Sequence, residues 1–196
     1  MSKIIEFYFD YGSPTSYLAF TQLPALAERT GAEIAYRPIL LGGVMKATGN
    51  SPPTAIPAKG VWFKRDMTAF AERYGVPFHY NDHFPVNTLA AMRGAIVARS
   101  RGWLESYSTA VFNGLWVENL DLSQPEVFIA CLNGGGIDAA AIGAGIGDPA
   151  HKESLKLETQ DAIDKGLFGA PAFIVDGGPL IFGQDRLDFV EAAARQ

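Results

Sequence analysis

The hydrophobic pattern at the start of the chain predicts a strand, a helix and a second strand. Residues 4–9 are β-branched or aromatic apart from one acidic residue and include no Gly or Pro, which is typical of a buried strand. Ser13 followed by Pro14 favours a helix start, because Ser caps free N–H groups and Pro fits the first helical position. Helical spacing continues to Gly31, and residues 32–37 form the second strand candidate. Such a βαβ unit places its two strands side by side and parallel.

The middle of the chain has a different pattern. From about residue 39 to 165 strand patterns are absent, and apolar residues recur at the three- and four-residue spacing of helices. Stretches rich in Gly or Pro at 49–60, 77–85 and 134–136 are the predicted linkers. The predicted helices lie at residues 63–74, 89–96, 104–115 and 149–166.

Strand patterns return near the end of the chain. Residues 172–175 and 180–182 are separated by four residues that include Gly177-Gly178, a turn signal that predicts a β-hairpin. In residues 185–195 the apolar positions share one helix face. We therefore expect the two last strands to pair antiparallel and a helix to follow them.

The length of the chain limits the number of domains. At 196 residues it can bury one substantial core, either as a single domain or as a domain with a large insertion. The order of the elements favours an insertion, in an α/β fold with a βαβ…ββα core. The core is then built from residues 1–38 and 167–196, and the all-helical insertion domain from residues 39–166.

Composition and charge argue against two kinds of partner. The net charge of −5, with no basic stripe, opposes binding to nucleic acid. No run of about 18 uncharged apolar residues occurs, and acidic residues interrupt the first apolar run. We therefore expect neither a membrane segment nor a signal peptide, and a cytoplasmic location.

Cysteine is almost absent from the sequence. Cys131 is the only one, so the chain has no intrachain disulfide, no CxxC redox pair and no cysteine-rich zinc site. We expect Cys131, which lies beside apolar residues, to be a small buried side chain. No metal site is predicted, and any thiol chemistry needs a thiol from another molecule.

The turn between the first strand and the first helix is the strongest candidate for chemistry. A helix N-terminus has unpaired N–H groups and about half a positive charge, which together attract anions. Ser13-Pro14-Thr15-Ser16 has the spacing of a Cys-Pro-x-Cys redox motif in which both thiols are replaced by hydroxyls. The three histidines all lie in the insertion, so no base is predicted beside Ser13, which favours a hydrogen-bond donor over a nucleophile. The alternative is that Ser13 is only a helix cap.

Two further segments are candidates for ligand contact. In Phe168-Gly169-Ala170-Pro171 a proline precedes a strand, and a cis bond there would leave the Ala170 backbone free to pair with a peptide-like ligand; the alternative is an ordinary trans strand start. In Gly183-Gln184-Asp185-Arg186 an acid and a base could hold the charged ends of a ligand, or simply cap the last helix.

Taken together, these motifs resemble the 2-hydroxychromene-2-carboxylate isomerase family and its relatives, the kappa-class glutathione transferases, which have a thioredoxin-like fold. The resemblance spans nearly the whole chain. It rests on the order and spacing of Phe7-Tyr8-Phe9-Asp10 with Ser13-Pro14, Thr48-Gly49-Asn50 with Pro52-Pro53 and Lys59-Gly60, and the two segments near the C-terminus.

The resemblance implies a role for each matching residue. Ser13 matches the serine that activates glutathione, and Ala170, before an expected cis-Pro171, matches the backbone contact to the tripeptide. Asp185 and Arg186, in the segment with Gly183 and Gln184, match the clamp at the γ-glutamyl end. Asn50 matches an asparagine on the glutathione side.

The resemblance is less direct about the residues that contact the substrate than about those that contact glutathione. The family's isomerases have basic residues in the insertion, near its first loop and near the segment that here contains Asn87 and Thr88, so the carboxylate-binding pattern differs in this chain. Lys46, Lys59, Trp62 and Arg93 are possible substitutes, and Asn87 is a further candidate; each is otherwise a surface or packing residue.

Three functions follow as hypotheses. The resemblance implies a glutathione-dependent isomerase of aromatic-compound catabolism, with glutathione as a cofactor that adds to a small aromatic-derived acid and leaves unconsumed. The alternatives are a kappa-class-like glutathione transferase, or a non-catalytic thioredoxin-fold module that binds peptides. A homodimer is expected from the related families.

Overall fold

A four-stranded sheet lies at the centre of the computed structural model, which describes residues 2–196. Its strands follow the order β2-β1-β3-β4, with β1 parallel to β2 and antiparallel to β3, and β3 antiparallel to β4. The predicted parallel pair and the predicted hairpin are therefore confirmed. The strands are β1 (Ile4–Phe9), β2 (Glu33–Pro38), β3 (Ala172–Val175) and β4 (Ile181–Phe182).

Helices surround the sheet and account for most of the chain between β2 and β3. Short 3₁₀ turns at Pro53–Ala55 and Gln184–Arg186 precede two of them. None of the helices within residues 2–196 is long and apolar enough to cross a membrane. The helices are α1 (Pro14–Thr30), α2 (Leu41–Thr48), α3 (Pro57–Tyr74), α4 (Leu89–Ser100), α5 (Leu104–Trp116), α6 (Pro125–Gly134), α7 (Ala139–Ile146), α8 (Pro149–Asp164) and α9 (Leu187–Arg195).

Alternate residues of β1 pack on opposite faces of the sheet, as the twofold period of a strand requires. Phe7 and Phe9 are fully buried in a large cluster that also contains residues of α1, α4, α5 and α9. Tyr8 belongs to a smaller cluster on the other face, with Val44 of α2 and Ala162 of α8. Both faces of β1 are covered, which explains its almost uninterrupted apolar sequence.

The large cluster joins the predicted core to the predicted insertion. The ring of Phe9 in β1 lies 5.9 Å from the ring of Phe112 in α5, between centroids. The division into residues 1–38 with 167–196 and residues 39–166 stays a prediction, and Met1 lies outside the described residues.

Candidate functional site

Ser13 caps α1 at the end of the β1–α1 turn. Its backbone is extended (φ −101°, ψ 113°), and its Oγ accepts a hydrogen bond from the Ser16 N–H at 3.1 Å. The Tyr17 N–H donates to the Ser13 carbonyl at 3.2 Å. The predicted helix start is confirmed, and the Ser13 side chain is almost fully buried at the N-terminus of a 17-residue helix.

The Ser13 hydroxyl also contacts the segment that precedes β3. Its Oγ donates to the Ala170 carbonyl oxygen at 3.2 Å and lies 2.7 Å from the Thr15 Oγ1. The Thr15 hydroxyl donates to the same carbonyl, also at 3.2 Å. The Ala170–Pro171 peptide bond is cis. Two candidate segments that are far apart in the sequence thus meet at one point.

Asp10 holds the serine turn to two other segments. Its Oδ1 accepts from the Gly12 N–H at 2.9 Å and from the Thr88 hydroxyl at 2.8 Å, and its Oδ2 accepts from the Leu41 N–H at 2.9 Å. Burial raises the pKa of the Asp10 carboxyl above its ordinary value, while these three donors lower it. Because Leu41 is the first residue of α2, Asp10 fixes α2 as well as the turn.

Tyr11 anchors the same turn to the insertion. Its N–H donates to the Met92 Sδ of α4 at 3.3 Å, and its carbonyl accepts from the Trp116 Nε1–H of α5 at 2.8 Å. The Tyr11 hydroxyl lies 2.8 Å from the Ser108 Oγ, and all these groups are buried. The turn before Ser13 is therefore held by hydrogen bonds from several elements, which fixes the position of the hydroxyl.

A cavity of about 800 Å³ opens over the Ser13 turn. The described residues that line it include no histidine, so Ser13 has no imidazole base there, as expected from the sequence. Its apolar side chains come mainly from α2, α3 and the loop before α4: Leu41, Met45, Ile56, Trp62, Phe63, Met67 and Phe84.

Most of the predicted site residues line this cavity. They are Ser13, Asn50, Lys59, Trp62, Ala170, Pro171, Gly183, Gln184, Asp185 and Arg186.

The structure places the remaining candidates elsewhere. Lys46 lines a different cavity, between α2 and α8, whose lining also includes Lys156. Asn87 lies just before α4, where its Oδ1 accepts from the Leu89 N–H at 3.1 Å, and it does not line the cavity over Ser13. Arg93, in α4, does not line that cavity either.

The residues predicted to hold the ligand form hydrogen bonds and an ion pair within the chain. The Asn50 Nδ2 donates to the Phe168 carbonyl at 2.8 Å, which ties the loop after α2 to the segment before β3. Arg186 pairs with the neighbouring Asp185, with 2.9 Å between Nη1 and Oδ2, and both side chains are about half exposed. The Tyr74 hydroxyl donates to the Gln184 carbonyl at 2.8 Å, which attaches this turn to α3.

Asp66 is a cavity residue that the sequence analysis missed. Partial burial and the negative charge of Asp185 raise the pKa of its carboxyl, so the two carboxylates share one region of the cavity. A signal was present in the sequence, because Lys59, Trp62 and Asp66 have the spacing i, i+3, i+7 that puts residues on one helix face. The cavity thus offers both carboxylates and cations near a buried hydroxyl and the peptide segment that precedes β3.

Comparison with known proteins assigns the chain to a family. The family model described as "DSBA-like thioredoxin domain" matches residues 4–195. Over 195 residues the chain is 34% identical to a 2-hydroxychromene-2-carboxylate isomerase of Sphingobium xenophagum, which covers 98% of each protein. It is 29% identical over 203 residues to glutathione S-transferase kappa 1 of Homo sapiens, covering 97% of this chain and 90% of the relative.

A solved structure is similar over almost the same range. The structure of a 2-hydroxychromene-2-carboxylate isomerase superposes with a TM-score of 0.87 at 29% sequence identity, covering 97% of this chain and 93% of the other. The predicted thioredoxin-like α/β fold is therefore confirmed, and so is the resemblance on which it rested.

Proposed function

We propose that this chain, which belongs to the DSBA-like thioredoxin domain family, is a glutathione-dependent isomerase in the catabolism of aromatic compounds. In this proposal Ser13 stabilises the thiolate of bound glutathione. The relatives support the general class of enzyme, since they are named as isomerases and as glutathione transferases. The substrate and the role of the serine are the parts that we propose.

One observation carries the proposal. The Ser13 hydroxyl is fixed at the N-terminus of α1, inside the cavity, and 3.2 Å from the carbonyl of Ala170. A hydroxyl so placed can donate to a thiolate, while the Ala170 backbone can pair with the peptide that carries the thiol. Both contacts suit glutathione, which has a thiol at the middle of a short peptide.

The charged residues of the cavity fit the two ends of that peptide. Glutathione has one ammonium group and two carboxylates. Asp66 and Asp185 provide negative charge for the ammonium group, and Lys59 and Arg186 provide positive charge for the carboxylates. Asn50 lies next to the Ala170 segment through its bond to the Phe168 carbonyl. The residues present therefore fit the cofactor that the family implies.

The task of Ser13 can be expressed as a free energy. A cysteine thiol has a pKa of about 8.5, so only a few per cent is thiolate at neutral pH. Lowering that pKa by about two units requires about 2.7 kcal/mol of differential stabilisation. A hydrogen bond to a charged acceptor contributes about 1.5–3 kcal/mol, and the helix N-terminus adds up to about 1 kcal/mol. The serine and the helix end together are sufficient.

The apolar wall of the cavity suits a flat substrate. Trp62, Phe63 and Phe84 offer aromatic surface, and Lys59 offers a cation for a carboxylate. Bound glutathione supplies a nucleophilic thiolate that adds to an unsaturated acid and later leaves, so that it is not consumed. Lys59 and Trp62 are the substrate residues of this proposal, whereas Lys46 and Asn87 lie outside the cavity.

The test follows absorbance during incubation with a 2-hydroxychromene-2-carboxylate-type acid, with and without glutathione. We expect a spectral change that requires both the protein and glutathione, with glutathione recovered unchanged. The Ser13→Ala variant should lose most of the glutathione-dependent rate, whereas Ser13→Thr, which keeps a hydroxyl, should retain part of it. If no acid in a small panel gives a change that depends on glutathione, the proposed substrate class is wrong.

A kappa-class-like transferase is the second candidate, favoured by the 29% identity to a kappa transferase over nearly the whole chain. It predicts that glutathione is consumed when an aryl halide is supplied. Calorimetry with glutathione separates both enzymes from a peptide-binding module, which should show no binding at millimolar glutathione. A homodimer and a cytoplasmic location belong to the proposal, and light scattering tests the former.

A further inference from the structure

A second hydroxyl lies beside the proposed thiolate donor. The Thr15 Oγ1 is 2.7 Å from the Ser13 Oγ, and both hydroxyls lie 3.2 Å from the Ala170 carbonyl oxygen. Thr15 also lines the cavity, and its side chain is partly exposed to it. The three oxygens form a tight triangle at the floor of the proposed glutathione site.

The two hydroxyls have only two protons for these three contacts. They can supply only two of the three contacts at once, so either both protons are donated to Ala170 or one of them is shared between the two hydroxyls. If a peptide N–H takes the Ala170 oxygen as its acceptor, the proton now directed at that oxygen is free to turn toward a sulfur. One hydroxyl can then donate to the sulfur while the other donates to that hydroxyl, or both hydroxyls can donate to the sulfur.

Helix capping does not account for the position of the Thr15 side chain. The Ser16 N–H is already capped by the Ser13 Oγ, and Pro14 has no N–H to cap. The Thr15 N–H is among the first four of α1, which have no acceptor inside the helix. Thr15 thus brings to the cavity a hydroxyl that helix capping does not require.

Resting on the proposed function, we infer that Thr15 is a second donor to the glutathione thiolate, so that the sulfur is stabilised by two hydroxyls. Thr15 is then a catalytic residue alongside Ser13. Its share is measurable because the threonine hydroxyl can be removed without changing the shape of the side chain.

The experiment measures the pKa of the thiol in the complex with saturating glutathione, from the ultraviolet absorbance of the thiolate as a function of pH. The protein itself contributes little to this signal. Burial raises the pKa of the only thiol, Cys131, to about 11, and burial raises the pKa of all seven tyrosines. The variants are Thr15→Val, which keeps the shape, and Thr15→Ser, which keeps the hydroxyl.

We expect Thr15→Val to raise the pKa of the bound thiol by about one unit, which lowers the ratio of thiolate to thiol about tenfold. Thr15→Ser should stay close to the unmodified protein. Calorimetry with S-methylglutathione, which has no thiolate, should give the same affinity for both variants and the unmodified protein. This second measurement separates stabilisation of charge from a merely structural role.

Two results would overturn the inference while leaving the proposed function intact. In one, Thr15→Val leaves the pKa of the bound thiol unchanged although Ser13→Ala raises it. In the other, Thr15→Val weakens S-methylglutathione as much as glutathione, which means that it disturbs the site in general. If the unmodified protein neither binds glutathione nor lowers its pKa, the proposed function itself is wrong.

Discussion

The Ser13 Oγ lies 3.2 Å from the carbonyl oxygen of Ala170, a residue 157 positions later in the chain. The register of the sheet produces this contact, because Tyr8 near the end of β1 pairs with Ala172 at the start of β3. The end of β1 and the start of β3 therefore lie side by side, at the same end of the two central strands. A slip of one residue would turn every side chain of β3 to the other face, so the apolar pattern of both strands also fixes the site.

Replacing Ser13 by Ala should reduce both stability and activity. The loss of the cap to the Ser16 N–H should lower the free energy of unfolding by about 1 kcal/mol, measured by urea titration. The loss of the hydroxyl should also lower the glutathione-dependent rate.

A second cap serves as the control, because the Asp138 Oδ1 accepts from the Ala141 N–H at 2.9 Å at the start of α7. Asp138→Ala should lose similar stability without losing activity. If both variants lose activity equally, the effect of Ser13 is only structural.

Asp10→Ala should destabilise the protein far more than a surface change. It leaves the Gly12 and Leu41 N–H groups and the Thr88 hydroxyl without their acceptor in a buried position. We expect a loss of about 3 kcal/mol in the free energy of unfolding. Thr88→Val removes only one of these donors and should cost about 1 kcal/mol. Equal losses in the two variants would mean that Asp10 does not join the three segments.

The charge of Asp10 should also give a pH dependence of known sign. Burial raises its pKa in the folded protein above the ordinary value of 3.8. The folded state then binds more protons than the unfolded state in the window above pH 3.8, so its stability falls as the pH rises through the raised pKa.

Asp10→Asn has no such titration. The free energy of unfolding of the unmodified protein minus that of Asp10→Asn should therefore decrease with rising pH in this window. Urea titrations of both proteins at a series of pH values measure this difference. A difference that grows with pH would show that the three donors outweigh burial.

The sequence predicts the sheet well because its signals are local. The bounds of β1 at residues 4 and 9 agree with the pattern of β-branched and aromatic residues, and the second strand of the predicted hairpin begins only one residue later than predicted. The sequence pattern does not predict helices α2, α6 and α7. The sequences of α2 and α7 contain Gly at several positions, and α6 runs into the tract taken for a linker, so helical spacing is weak there.

The site is predictable only where a turn or a resemblance marks it. Ser13 and Ala170 follow from motifs, whereas Asp66 and Thr15 gain their roles from distant neighbours, Asp185 and Ala170. Asn87 shows the opposite case. Its side chain is a reasonable ligand group in the sequence, but it bonds to the backbone two residues later, which is a common use of Asn before a helix.

Cys131 should react slowly in the folded protein. Burial raises its pKa from 9.0 to about 11, and its Sγ lies 3.4 Å from the Ala110 carbonyl oxygen. A rise of two units makes the thiolate fraction about a hundredfold smaller at mildly alkaline pH. A thiolate of higher pKa is a stronger nucleophile, which offsets part of this loss, so alkylation by iodoacetamide should be about tenfold slower than in urea, and Cys131→Ser should abolish it. Cys131 is only partly buried, not fully buried as the sequence predicts, and similar rates in the folded and unfolded protein would contradict its raised pKa.

The aromatic wall of the cavity includes an exposed side chain of α3. Trp62 lines the cavity and is 61% exposed, whereas its neighbour Val61 is 58% exposed and lies outside the cavity. The two residues form a matched pair on α3, because both lose little packing when they are shortened. A large exposed aromatic side chain at a cavity has surface to offer a ligand, and covering it contributes about 25 cal/mol per Å² of apolar area.

Trp62→Ala should therefore raise KM for the aromatic acid about tenfold while the melting temperature changes little. A tenfold change corresponds to about 1.4 kcal/mol, which at that coefficient is the burial of about 55 Å² of the indole by the substrate. Val61→Ala should leave KM and kcat unchanged. Calorimetry with S-methylglutathione shows which of the two ligands Trp62 contacts. If Trp62 contacts the aromatic acid, Trp62→Ala should leave the affinity for S-methylglutathione unchanged. If Trp62→Ala instead lowers the affinity for S-methylglutathione, Trp62 contacts glutathione, and the aromatic acid must be bound by the other apolar residues of the wall.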